Sequence, residues 1–178
     1  NKLNFHLIEG SKLLSKKAKK KHKNLKVINE LFENYSPKRK YDLIIASHIL
    51  EHVDKPVEVL KKINSWMHKK SLCIVHVPIN TSYHRKLAVI MKLQKRLDTL
   101  SKRDLLVGHK RVYSIESMKS DIRKAGFKVL KIQGFLLKFL PNSMMLNFSN
   151  DLLIALNKIA ENIDPALCAN ASFIIKKS

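Results

Sequence analysis

Glycine is scarce in this sequence: four in 178 residues, at positions 10, 108, 126 and 134. No two of them sit close enough to build a loop in which bare backbone approaches a bound nucleotide ahead of a helix. Cysteine is scarcer still. Cys73 and Cys168 lie inside apolar runs (SLCIVHV and PALCANA) with no Cys or His at metal-ligand spacing. That excludes a disulfide framework and a sequence-local zinc site, and leaves the expectation of buried reduced thiols in a cytoplasmic protein with no metal. No apolar run approaches the roughly 18 to 20 residues needed to span a membrane. The opening Asn-Lys-Leu-Asn-Phe carries neither a signal-peptide pattern nor an initiator Met.

Acidic residues are also few, 14 against 35 Lys and Arg, for a net charge of +21. A balance this basic raises the prospect of a nucleic acid or another polyanion as partner. The excess, however, is 29 Lys against six Arg, spread along almost the whole chain. Arg is the residue suited to bidentate phosphate and base contacts. In the densest run, Lys16 to Lys23, residues Leu13, Leu14 and Ala18 suggest one apolar helical stripe with the lysines on a solvated face.

Short apolar runs alternate with longer amphipathic stretches, the pattern of an α/β sheet with crossover helices in one domain. Strands are expected at residues 4–8, 25–28, 41–47, 71–77, 127–132 and 171–175. Tyr41 to Ser47 has the continuous apolar centre of a parallel strand buried on both faces. Helices are expected from Ser11 to about His22, and from Pro56 with Val57, Leu60, Ile63 and Met67 inward. Others should span about 82–100, run from the Ser114 cap to Ala125-Gly126, and cover about 149–163. Ser117 stands where a capping box would want Glu or Gln, so the Ser114 cap is expected to be an ordinary one.

The segment YDLIIASHILEHVDKPVEVLKKINSWMHKKSLCIVHVPIN resembles the centre of class I S-adenosylmethionine-dependent methyltransferases. The likeness rests on Asp42 opening the strand, Leu50-Glu51-His52-Val53, Pro56, and Val77-Pro78, with Ile79 inserted before Asn80. Upstream, HLIEGSKLLSKKAKK is similar to that family's second strand and following helix. Downstream, GHKRVYSIESMKSDIRKAGFKVLKIQGFLLKFLPNSMM and PALCANASFIIKK resemble one bacterial branch. The resemblance implies a Rossmann-like, mostly parallel sheet with an antiparallel last strand. It also implies a helical lid insertion at about 81–112.

The same resemblance implies S-adenosylmethionine as cofactor. Glu9, followed by Gly10, would accept hydrogen bonds from both ribose hydroxyls, since a carboxylate has lone pairs for both. Leu31 and Phe32 would form an apolar slot for adenine, Leu31 standing where many members have Asp. Ser47 and His48 would lie near the methyl group, with His48 contacting cofactor or substrate or serving as general base. His109 is the second catalytic candidate. Substrate contacts would come from His52, Tyr83, His84, Arg85, Arg111 and Tyr113. His52 has an alternative role in holding its own turn, and His76 reads as a satisfied core residue.

The family's first strand and Gly-x-Gly-x-Gly loop have no counterpart here, because the first strand of this sequence matches the family's second. The expectation is that ~40 N-terminal residues are missing from the sequence shown. A degenerate relative that no longer binds the cofactor is the alternative. Either way, these residues alone should bind S-adenosylmethionine weakly or not at all. Three functions remain open: methylation of a small-molecule hydroxyl or amine, methylation of RNA or another nucleic acid, or a non-catalytic module on the same fold. Ser47-His48-Ile49-Leu50 stands where base-amine methylases often carry Asn/Asp-Pro-Pro-aromatic.

Overall fold

The local chemistry of the helix ends sets much of the chain's course. In the computed structural model, which describes residues 4–178, Ser11 caps α1 (Lys12–Lys21) by accepting from the Leu14 amide. Pro56 opens α2 (Pro56–Ser65), where its missing N–H and fixed φ cost nothing. Gly126 follows α5 (Ile115–Lys124) with φ 77°, the left-handed residue that stops a helix and launches a strand. The Asn1 terminus, read above for its missing Met, lies outside the described residues.

The described chain forms two compact units, residues 4–40 and 41–178. In the first, β1 (His6–Ile8) pairs in parallel with β2 (Lys26–Ile28), and α1 connects them. The stripe expected on α1 is not the buried one: Leu13 and Leu14 are exposed and Ser15 is buried. A 10-residue helix against a two-stranded sheet needs only a narrow contact line, which Ser15 and half-buried Ala18 supply at i, i+3 spacing.

The second unit holds a four-stranded sheet in the order β3-β4-β6-β5. Strand β3 (Tyr41–Ser47) runs parallel to β4 (Met67–Pro78). The last strand, β6 (Asn170–Lys177), inserts antiparallel between β4 and β5 (Phe127–Phe135). The Rossmann-like arrangement with an antiparallel last strand is therefore present. The core is closed by Phe127, Phe173, Leu60, Met118, Ile122 and Ile175, all fully buried. Both cysteines are free and buried, and burial pushes the Cys73 thiol up to about 12.

Three expectations change. First, β3 is not buried on both faces: Leu43 and Ile45, on one face, are 50% and 59% exposed. Leu72, paired with Leu43 on the inner strand β4, is exposed as well, so it is this face of the sheet that is open. Second, α2 ends at Ser65 and Met67 already begins β4. Third, the helix expected over 82–100 stops early. It appears as α3 (Tyr83–Ile90), then Lys92 adopts φ 58° and the chain turns until α4 (Lys102–Leu106). The cause is Arg85, whose buried guanidinium donates to the carbonyls of Leu97 and Thr99 and pulls that stretch back. A sixth helix, α6 (Asn150–Ala160), precedes β6. The Ser114 cap also differs from expectation, since Ser114 and Ser117 each accept from the other's amide and form a full capping box. A Ser hydroxyl there does what Glu usually does. No helix among the described residues is long and apolar enough to cross a membrane.

Candidate functional site

Ligands of open α/β sheets bind beyond the carboxyl ends of the strands. At the end of β3 stands His48, in the left-handed region at φ 53°. Such a conformation costs a non-glycine residue on the order of 1 kcal/mol and persists only where surroundings over-determine it. Here Glu51 supplies one constraint. His48 Nδ1 donates to Glu51 Oε1 at 2.9 Å, and the His48 amide donates to the His76 carbonyl. Glu51 is fully buried, so its carboxylate orients the imidazole and leaves His48 Nε2 with its lone pair. The Glu51 Oε2 has no donor among the described residues.

Around His48 lie two rings from other strands of the sheet, one on β4 and one at the end of β5. His76 is centred 6.5 Å away and Phe135 6.4 Å away. His76 is half-buried, shares a 3.0 Å hydrogen bond with Ser47 Oγ, and belongs to this strand-end cluster instead of the core. Burial, and then the neighbouring His48, lower its pKa. Neither His76 nor Phe135 announces itself in sequence, since each sits in an ordinary strand pattern.

The Leu50-Glu51-His52-Val53 turn is held by the Gly108-to-Tyr113 segment, which lies across it as a strap. His52 Nδ1 donates to the Gly108 carbonyl at 3.2 Å, and the Lys110 amide donates to the Glu51 carbonyl at 2.7 Å. The Arg111 guanidinium donates to the carbonyls of Leu50 and Asp54, and Lys110 Nζ pairs with Asp54 at 2.5 Å. Tyr113 is 3% exposed, its hydroxyl donates weakly to the Leu50 carbonyl at 3.4 Å, and burial pushes it up to about 12. Arg111 and Tyr113 thus support the turn that carries Glu51. The strap also brings His109 against His52, with ring centroids 4.8 Å apart. Asp104 Oδ1 lies 3.2 Å from His109 Nδ1, close enough for charge attraction but not aligned as a hydrogen bond.

The Tyr83-His84-Arg85 cluster divides by role. Arg85 is 6% exposed and pairs with Asp104 at 2.6 Å, so its charge is committed to the fold. For Asp104, burial raises the pKa, but hydrogen bonds from Ser101 and the Arg85 charge outweigh it and hold it low. Burial first, then Lys138 and Arg85, push the His84 imidazole down to about 3. Tyr83 stacks near Phe139 at 5.1 Å.

In the first unit, Glu9 follows β1 and its Oε1 accepts from the Ser11 amide at 2.7 Å. Asn29 Nδ2 donates to the carbonyls of Glu9 and Gly10, fixing that turn. A Cβ at Gly10 would come within 2.7 Å of Leu31 Cδ2, so Leu31 would have to turn aside for any larger residue. Leu31 is itself exposed and Phe32 half-buried. The turn thus sets a fixed carboxylate, Glu9, and an exposed apolar side chain, Leu31, on either side of Gly10.

Residues 4–132, more than half of the sequence, match the methyltransferase domain family. The chain belongs to that family. No curated protein sequence matches it. Among solved structures, an S-adenosylmethionine-dependent methyltransferase from Thermotoga maritima, described as a possible histamine N-methyltransferase, is 18% identical with TM-score 0.65. That alignment covers 98% of this chain and 73% of the other. The mitomycin 7-O-methyltransferase is 15% identical with TM-score 0.61, over 99% of this chain and 42% of its own. LepI in complex with S-adenosylmethionine is 9% identical with TM-score 0.63, over 100% of this chain and 37% of its own. At these identities the likeness is one of fold. The family is that of a methyltransferase domain, and the fold is the one these S-adenosylmethionine-dependent methyltransferases carry.

Proposed function

We propose that this methyltransferase methylates a small-molecule hydroxyl or amine, with His48 as the group that receives the acceptor's proton. The observation that carries the reading is the His48–Glu51 pair, a strained imidazole oriented by a fully buried carboxylate at a strand end. A neutral hydroxyl sheds its proton as it attacks and an ammonium must shed one before it can attack, and a positioned base contributes typically 10² to 10⁴ in rate. S-adenosylmethionine supplies a methyl group on a sulfonium and leaves as a neutral thioether. Glu9 and Gly10 take the ribose, Leu31 and Phe32 take the adenine, and Ser47 with His48 faces the methyl group. His52 and His109 line the acceptor side, with Tyr83 and His84 beyond them. Arg85, Arg111 and Tyr113 act by position, holding the turn and the strap.

Two of the structurally similar proteins bear names that point to small acceptors, a possible histamine N-methyltransferase and the mitomycin 7-O-methyltransferase. The lysine excess alone favours RNA, and six Arg are few for base and phosphate recognition. The test is methyl transfer from labelled S-adenosylmethionine by the full-length protein to pooled hydroxyl and amine metabolites and, separately, to total RNA. Label in a small molecule is expected. Label in RNA alone would replace this reading with the nucleic-acid one.

A further inference from the structure

We propose that Glu51, His52 and His109 form a binding site for one divalent first-row transition-metal ion. A carboxylate oxygen of Glu51 and one ring nitrogen from each histidine all lie within 4.8 Å of one another. Bonds of about 2.1 Å place tetrahedral ligand atoms roughly 3.4 Å apart, so ring movements of about 1 Å close the set.

The independent observation is Glu51. Its side chain is fully buried and its Oε2 has no donor among the described residues. An ionised oxygen removed from water without a partner is costly, and a cation removes that cost. The histidines are prepared in the manner of ligands. His52 Nδ1 is committed to the Gly108 carbonyl at 3.2 Å, which fixes the tautomer and leaves Nε2 free. His109 is flanked by Asp104, whose Oδ1 is 3.2 Å from Nδ1. A carbonyl that accepts from the other ring nitrogen, as Gly108 does for His52, orients an imidazole in metal sites and raises its basicity. One carboxylate with two imidazoles suits zinc, manganese, cobalt or iron(II), and offers too few oxygens for calcium.

The site was invisible to a search for nearby Cys and His because its third ligand comes from the strap. Glu51 also accepts from His48, so the ion would stand one carboxylate away from the proposed base. Polarising an acceptor oxygen there is the role such an ion would take. That role rests on the proposed function, whereas binding does not, and the test reads binding alone.

Chelator-treated full-length protein is titrated with Co²⁺, following the visible d–d absorption and stoichiometry, alongside His52→Asn, His109→Asn and Glu51→Gln. His68→Asn, on exposed β4 surface, is the control. The expected result is one ion per chain with imidazole scattering in X-ray absorption, and at least about tenfold weaker binding in each site variant that keeps its far-UV circular dichroism. Should Glu51→Gln unfold, the two histidine variants decide. Several weak sites affected equally by His68→Asn, or no absorption at millimolar Co²⁺, would overturn the proposal.

Discussion

His48 Nδ1 lies 2.9 Å from Oε1 of a Glu51 that has no solvent exposure, so the orientation of the imidazole is set from inside the protein. The pair is expected to act as a unit. Glu51→Gln, which keeps shape and removes charge, should lower kcat by about 10² or more. His48→Ala should lower it comparably, and the double variant little further, because groups acting together are not additive. Steady-state release of S-adenosylhomocysteine measures all three. A double variant whose loss is the product of the two single losses would show that they act separately.

The Arg85–Asp104 pair holds the 91–100 stretch, with side chains only 7% and 14% exposed. Removing one partner of a buried pair costs about 3–5 kcal/mol. For a chain of this size that is a fall in Tm of roughly 6–20 °C for Arg85→Ala. Arg96–Asp98 has the same length, 2.6 Å, but side chains 74% and 48% exposed. Arg96→Ala should leave Tm almost unchanged, as exposed pairs do. Differential scanning calorimetry of the two variants decides whether burial, not distance, sets their worth.

Gly134 in β5 has no room for a side chain. A Cβ there would run into Cys168 Sγ and come within 3.1 Å of Pro165 Cα. Overpacking of this kind costs about 1–3 kcal/mol, so Gly134→Ala should lower the urea midpoint without changing the m-value. Cys168→Ala in the same chain should recover part of the loss, since it removes the nearer obstacle. Lack of any recovery would place the clash at the Cys168 Cβ, 3.0 Å away, and Pro165.

Acid should weaken the fold through His84. Its folded pKa, pushed down to about 3 chiefly by burial, lies below the ordinary 6.5. Between those values the unfolded chain binds the proton and the folded one does not, so stability falls as pH drops from 6.5 toward 3. The slope is at most about 1.4 kcal/mol per pH unit, reduced by solvent reaching this partly exposed ring. Above pH 6.5 the contribution is complete. His84→Gln should flatten the acid limb of a denaturation series, and an unchanged limb would assign it to other groups.

The parts of this molecule written in local chemistry could be read in advance. Pro56 at a helix start and Gly126 at a helix end are local patterns, and both stand in the structure; the antiparallel last strand was implied by the family resemblance, and it stands too. The parts decided by distant contacts could not. Leu93 and Leu97 have helical spacing, yet Arg85 takes the Leu97 carbonyl and the helix ends before them. His109 and Arg111 were recognisable as candidates. That their segment clamps the Leu50–Val53 turn follows only from hydrogen bonds 56 to 61 residues apart in sequence. Phe135 carried no signal, since an aromatic in a strand is ordinary.

The most direct test of the account is an amide-resolved NMR titration with S-adenosylhomocysteine, which reports weak binding as well as strong. The account predicts shifts at Glu9–Gly10, Leu31–Phe32 and Ser47–His48, with smaller changes at His76. Shifts spread over the lysine-rich surface of α1, with those three pairs unmoved at millimolar ligand, would contradict it.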